Sequence, residues 1–282
     1  MRWQGRREST NIEDRRGVSG RNVVLGGGIG GVIIILILSL ILGKNPLQFL
    51  QSIESGSTEQ VSPAEQKGND ESAVFAKVVL ADTEDVWSKL FQKIGKQYVP
   101  PVMVLYSGEV ESACGMNTAA SGPFYCPADQ KLYIDLSFFN ELKSRFHVPG
   151  NFADAYVIAH EVGHHVQNLL GITQQVEALQ SRADRKEANA LSVRLELQAD
   201  FFAGLWAHYD DKWNHVLEPG DIQNAMQAAN AVGDDRLQKE GRGYVIPDSF
   251  THGTSEQRVR WFMKGYQSGD ISEGDTFSAT SL

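Results

Sequence analysis

Apolar positions along the chain fall into three patterns. Residues 22–43 are apolar almost without interruption, with no charge in 22 positions and the run Val-Ile-Ile-Ile-Leu-Ile-Leu from Val32 to Leu38. As a helix this stretch would span about 33 Å, the thickness of a bilayer core. The second pattern has helical spacing. Val79, Val86, Leu90, Phe91 and Ile94 predict a helix within 78–99. The third is strand-like: Val102–Tyr106 predicts a strand. Phe124–Cys126 and Leu132–Leu136, on either side of Pro127-Ala128-Asp129-Gln130, predict a hairpin.

Helical spacing continues downstream. Residues 138–145 read as a short helix, and 153–170 as a longer one that Gly171 is placed to end. Residues 174–209 read as mostly helical with one break. Residues 221–240 read as one helix with Asp221 as its N-cap. Thr254-Ser255-Glu256-Gln257 matches a capping box that opens a last helix through Tyr266. The expected class is α+β, several long helices beside a small sheet.

Charge turns these elements into an expected topology. Residues 1–21 carry six arginines and three acids, a net +3 in a chain of net −9, which leaves −12 for the rest. The positive-inside bias then predicts a cytoplasmic tail (1–21) and a transmembrane helix (22–43). A polar flexible linker (44–72), a folded domain outside the cytoplasm (73–269) and a flexible C-terminal tail (270–282) would follow. A cleaved signal peptide is the alternative; the apolar stretch is long for one and lacks a small-x-small site after it. Gly26/Gly30 and Gly27/Gly31 are small-xxx-small pairs that would let two spans pack as a homodimer, unless glycine is merely tolerated there. The acidic body argues against nucleic acid as a partner. Cys114 and Cys126, the two cysteines, are expected to form a disulfide in an oxidising compartment, with two buried free thiols as the alternative.

The candidate chemistry lies in the 153–170 helix. His160-Glu161-Val162-Gly163-His164 puts two imidazoles one turn apart on one face, where both can reach one metal ion. Glu161 between them can act on a water at that ion. The surrounding Val157, Ile158, Val162 and Val166 bury the helix, and buried histidines need partners. Gly163 would let another element approach closely. His165 falls on a different face and is expected to pack or to support the site from outside.

A catalytic zinc takes three protein ligands and keeps one position open. The third candidate is Glu196 in Glu-Leu-Gln-Ala-Asp, 32 residues after His164 in strongly apolar surroundings. Asp200, one turn later, could hold the free nitrogen of a ligand histidine. His208 and His215 are the rival third ligands.

His-Glu-Val-Gly-His followed by Glu-Leu-Gln-Ala-Asp-Phe-Phe-Ala-Gly resembles the gluzincin metallopeptidases. Gly122–Gln130, Tyr133–Phe139 and Thr251–Arg258 further resemble a bacterial family of membrane-anchored neutral zinc metallopeptidases. The resemblance implies a zincin-like fold with an edge strand that aligns an extended peptide, and a bacterial inner-membrane location with the catalytic domain periplasmic. It implies Zn2+ held by His160, His164 and Glu196, with Glu161 as acid/base. Glu161 would take a proton from the attacking water and pass it to the leaving amine. His252 is the candidate oxyanion donor, or else a loop histidine that caps; Arg258 would brace its turn. The expected partner is a protein or peptide substrate. Two other classes stay open: a metal-binding scaffold without hydrolytic activity, and a structural membrane protein that binds no metal.

Overall fold

The computed structural model describes residues 1–17, 63–119 and 122–282. Its strands are β1 (Ile12–Asp14), β2 (Val102–Tyr106), β3 (Glu109–Ser112), β4 (Gly115–Thr118), β5 (Phe124–Cys126) and β6 (Lys131–Asp135). Four form one sheet in the order β1-β2-β6-β5. β1 and β6 run parallel to β2, and β5 runs antiparallel to β6. β2 and β6 are central, and each is buried at four of its five positions. Coverage of both faces suits the consecutive apolar residues Val102–Tyr106 of β2 and 132–134 of β6. β5 and β6 form the expected hairpin, with Phe124 opposite Tyr133. β3 and β4 make a separate two-stranded hairpin. The Cys114–Cys126 disulfide, with Cα atoms 5.8 Å apart, ties the β3–β4 turn to the end of β5.

The helices are α1 (Pro63–Lys93), α2 (Ser137–Ser144), α3 (Phe152–Leu170), α4 (Ile172–Gln180), α5 (Arg185–Asn214), α6 (Asp221–Ala231), α7 (Asp234–Arg242) and α8 (Ser255–Ser268). The molecule is thus mostly helical with small sheets, as the α+β expectation has it. α3 is the innermost: every residue from Phe152 to Asn168 is buried except His164. A helix surrounded on all sides has no solvent face, so its polar side chains, among them His160, Glu161, His165 and Gln167, are buried with its apolar ones and need partners. Gly171, at φ 79°, ends it in the left-handed conformation that glycine adopts at least cost. The single break in 174–209 falls where Asp184 and Glu187 form a capping box at the start of α5. Thr254 and Gln257 form another at the start of α8.

Two glycine contacts set the spacing of the helices. A Cβ on Gly163 of α3 would lie 2.9 Å from the Ala199 carbonyl oxygen of α5. Cβ atoms on Gly204 of α5 and Gly265 of α8 would lie 2.0 Å from the Phe262 and Phe201 carbonyl oxygens. α3, α5 and α8 therefore cross nearly backbone to backbone.

Several expectations need correction. Residues 221–240 are two helices, broken at Val232–Gly233. Gly220, at φ 97°, occupies the cap position given to Asp221; the Asp221 carboxylate instead accepts from the Glu218 N–H at 2.8 Å. The C-terminal stretch is not frayed: Gln198 donates to the Gly274 carbonyl at 2.8 Å, Arg194 reaches the carbonyls of Thr276, Phe277 and Ala279, and Thr276 is fully buried.

The largest correction concerns localisation. Residues 22–43, with the glycine pairs proposed for a dimer, lie outside the described residues. Among the described residues no helix is long and apolar enough to cross a membrane. Residues 1–17 are not a free tail, because β1 extends the main sheet. Trp3 packs edge-on against Phe75 at 5.6 Å. Arg6 bridges Asp82 and Asp210 at 2.7 and 3.2 Å. A single-pass topology requires the tail inside and the domain outside. Here both belong to one folded body, which overturns that arrangement and the periplasmic placement built on it.

Candidate metal centre

Helix geometry assembles the centre from the α3 side first. Tyr156, His160 and His164 succeed one another at four-residue intervals, and Gln167 follows three residues on, so their side chains form a column on one face. On α5, Glu196 and Asp200 are likewise one turn apart. The contact at Gly163 brings the two columns together. His160 Nε2 lies 3.1 Å from Glu196 Oε2, and His164 Nε2 lies 3.4 Å from Glu196 Oε1. One ligand atom from each of the three residues lies within 4.8 Å of both others. Donors placed tetrahedrally around zinc at about 2.0–2.1 Å are separated by about 3.3 Å. The donor set and its spacing therefore fit that ion.

The second nitrogen of each histidine is held from behind, which turns both Nε2 atoms toward the shared point. His160 Nδ1–H donates to Asp200 Oδ1 at 2.9 Å. Asp200 also accepts from Tyr156 OH at 2.5 Å and from Arg258 through Nε at 2.8 Å and Nη2 at 3.0 Å. His164 Nδ1–H donates to Gln167 Oε1 at 2.9 Å. The orientation of that amide is set by its NH2 group, which donates to the Leu195 carbonyl at 2.7 Å and to Gln198 at 3.2 Å.

Electrostatics follow from this wiring. Burial pushes the Asp200 carboxyl up, but Arg258 and His160 outweigh it and hold it down to about 2. Burial likewise disfavours charge on His160, yet the Asp200 and Glu196 carboxylates lift it to about 10. Glu161 differs from its neighbours: burial raises its carboxyl, and among the described residues no hydrogen bond reaches it. It lines a cavity of about 500 Å³ together with His160, His164, Glu196 and His252. A carboxylate so placed is poised to exchange a proton with whatever occupies the cavity.

His252 stands at the mouth of this cavity, half exposed. Its Nδ1 is tied back to Thr251 Oγ1 at 3.0 Å and to Asp234 Oδ1 at 3.4 Å, and the Asp234 carboxylate raises its pKa. Asp234 Oδ2 also accepts from the backbone N–H groups of Thr251, His252 and Gly253 at 2.8, 2.6 and 3.1 Å. Asp234 is therefore the residue that braces the turn. Arg258, expected in that role, is turned inward to Asp200. Asp234 escaped sequence reading because the single helix read over 221–240 put it mid-helix. Tyr156 and Gln167 carried a signal in their i−4 and i+3 spacing from the histidines.

His165 supports the site from outside. Its Nε2–H donates to the Val99 carbonyl at 2.7 Å, and Tyr125 OH, which accepts from Asn168, donates to its Nδ1 at 3.0 Å. Burial lowers its pKa to about 4, so it is neutral and ties β5 to α3. The rival ligands are elsewhere: His208 Nδ1 donates to the Tyr266 carbonyl at 2.8 Å, and His215 caps the end of α5.

Residues 1–277 match the family described as "Putative neutral zinc metallopeptidase". "Uncharacterized protein YpfJ" of Escherichia coli K12 is 50% identical over 289 residues, covering 98% of this chain and 99% of its own. "Uncharacterized protein Rv2575" of Mycobacterium tuberculosis H37Rv is 45% identical over 195 residues, covering 66% of this chain and 65% of its own. No solved structure matches the chain.

Proposed function

The chain belongs to the neutral zinc metallopeptidase family, and from that premise we propose that it hydrolyses peptide bonds as a zinc endopeptidase of zincin-like fold. Zn2+ is the cofactor the family implies, and the cluster of His160, His164 and Glu196 is a donor set suited to it. The observation that carries the reading is this convergence, with the unpartnered Glu161 carboxylate on the wall of the same cavity.

Bound zinc supplies Lewis acidity, which acidifies a water and polarises a peptide carbonyl. The chain's own residues do the rest. Glu161 accepts a proton at its carboxylate and returns it to the leaving amine nitrogen. Burial raises its pKa, which favours taking up the proton. Asp200 and Gln167 hold the two histidines in one tautomer and orientation. His252, anchored through Nδ1, keeps Nε2 available to donate to the oxygen that gains charge. β5 ends the main sheet among the described residues, and Phe124 and Tyr125 line the cavity, which supports a substrate strand adding there.

The test is cleavage of an unfolded protein by the zinc-loaded full chain, with and without chelator. Glu161→Gln should retain metal and lose turnover by at least about 100-fold. Unchanged turnover in that variant removes the general-base role. Metal retention without turnover in the unaltered chain would favour the scaffold reading instead.

A further inference from the structure

Five side chains able to carry positive charge line the cavity: His160, His164, His252, Arg258 and Arg145. Four already have a carboxylate. His160 and His164 share Glu196, His252 has Asp234, and Arg258 has Asp200. Arg145, the C-cap residue of α2, forms no ion pair among the described residues, although Glu141 one turn earlier lines the same cavity. Arg145 is exposed to solvent where it lines the cavity, with its side chain beside an apolar wall. The guanidinium carbon lies 5.1 Å from the centre of the buried Phe146 ring, which also lines the cavity. A cation–π contact of this kind favours guanidinium positions over the ring, on the cavity side.

We propose that Arg145 determines substrate specificity by taking a carboxylate of the peptide, either an Asp or Glu side chain or a free C-terminus. This rests on the peptidase reading. An apolar neighbouring side chain of the peptide would lie against Phe138 and Phe146. A guanidinium presents two parallel donors that match the two oxygens of a carboxylate, and it stays charged at all relevant pH. The net charge of −9 repels acidic peptides at long range, so the selectivity has to come from this local contact and should weaken as salt rises.

The test uses the zinc-loaded full chain and quenched fluorescent peptides. One series pairs Glu with Gln at each position flanking the cleaved bond; the other pairs free with amidated C-termini. The expected kcat/KM ratio, carboxylate over neutral, is about tenfold in one series, which identifies the source of the carboxylate. Arg145→Ala should bring that ratio close to one, Arg145→Lys should keep part of it, and Arg145→Glu should favour Lys-containing peptides. Glu141→Gln should raise the ratio by removing a nearby like charge. The same peptides are also titrated by fluorescence anisotropy against zinc-loaded Glu161→Gln, with and without Arg145→Ala. Carboxylate preference that depends on Arg145 in binding, with no cleavage by the unaltered chain, would sustain this proposal and sink the peptidase reading. Equal ratios with and without Arg145, in turnover and in binding, would overturn the proposal and leave the peptidase reading intact.

Discussion

Arg258 and Asp200 meet through two hydrogen bonds, 2.8 Å from Nε and 3.0 Å from Nη2, with both side chains almost wholly shielded from water. Asp200 passes this order on to His160. Arg258→Met leaves a buried carboxylate without its main partner, which should cost about 3–5 kcal/mol of stability. Zinc affinity should fall about 10–100-fold as His160 loses its support. Urea unfolding and metal titration measure the two effects. Arg258→Lys keeps the charge without the fork and should fall between. A variant as stable and as metal-tight as the unaltered chain would contradict the brace.

Gly163 governs how closely α5 approaches the metal helix. Gly163→Ala sets a methyl against the Ala199 backbone, 2.9 Å from its carbonyl oxygen, where no side-chain rotation relieves it. The helices have to separate, at about 1–3 kcal/mol. Glu196 moves with α5, so zinc content after dialysis should drop in parallel. Equal zinc content would show that the ligand set tolerates the shift.

Asp154 provides a pH signature away from the metal. Its Oδ1 is buried without a partner, Oδ2 pairs with Lys143 at 3.2 Å, and burial raises the carboxyl to about 7 from an unfolded value of 3.8. Between these values the folded chain binds a proton that the unfolded chain has released. This contribution to stability is therefore full below about pH 4, declines as the pH rises, and is gone above about 7. Asp154→Asn removes that slope and should be the more stable protein at pH 8. Urea midpoints at pH 5 and pH 8 for both proteins decide it; an unchanged pH dependence would contradict the assignment.

Arg6 tests whether the N-terminal segment belongs to the domain. Arg6 sits between the buried Asp82 and Asp210 carboxylates, and burial together with Asp210 raises Asp82 to about 8. Arg6→Ala leaves the two acids facing each other. Their repulsion is relieved when one is protonated, so the loss of stability should be larger at pH 9 than at pH 6. Thermal unfolding at the two pH values measures it. No loss at either would mean that the segment does not dock as described.

Residues whose partners lie within a turn or two were legible in the chain. The two histidines of α3, the Gly171 stop, the Thr254–Gln257 box and the β5–β6 hairpin all follow from spacing along a helix or across a tight turn. The Glu196 and Asp200 pairing was legible too, because two acids one turn apart in an apolar helix need partners. Arg258 was singled out and given the wrong partner: its position at the start of α8 is local, but the acid it meets depends on how α8 crosses α5. Asp234 was hidden by a helix read as continuous. The N-terminal segment was misjudged for a related reason. Its charges look suited to water until Asp82 and Asp210, far along the chain, close around Arg6.

By itself, the chain determined most of the helices, the capping box at Thr254 and the placing of His160, Glu161 and His164 on α3, because a backbone of 3.6 residues per turn turns spacing directly into direction. Tertiary structure decided which carboxylate meets which cation: Glu196 with both histidines, Asp200 with Arg258, Asp234 with the His252 turn, and Asp82 and Asp210 with Arg6. Those pairings depend on distances between elements remote in sequence. Such distances are set by packing, above all where Gly163, Gly204 and Gly265 let helices touch, and no local pattern encodes them.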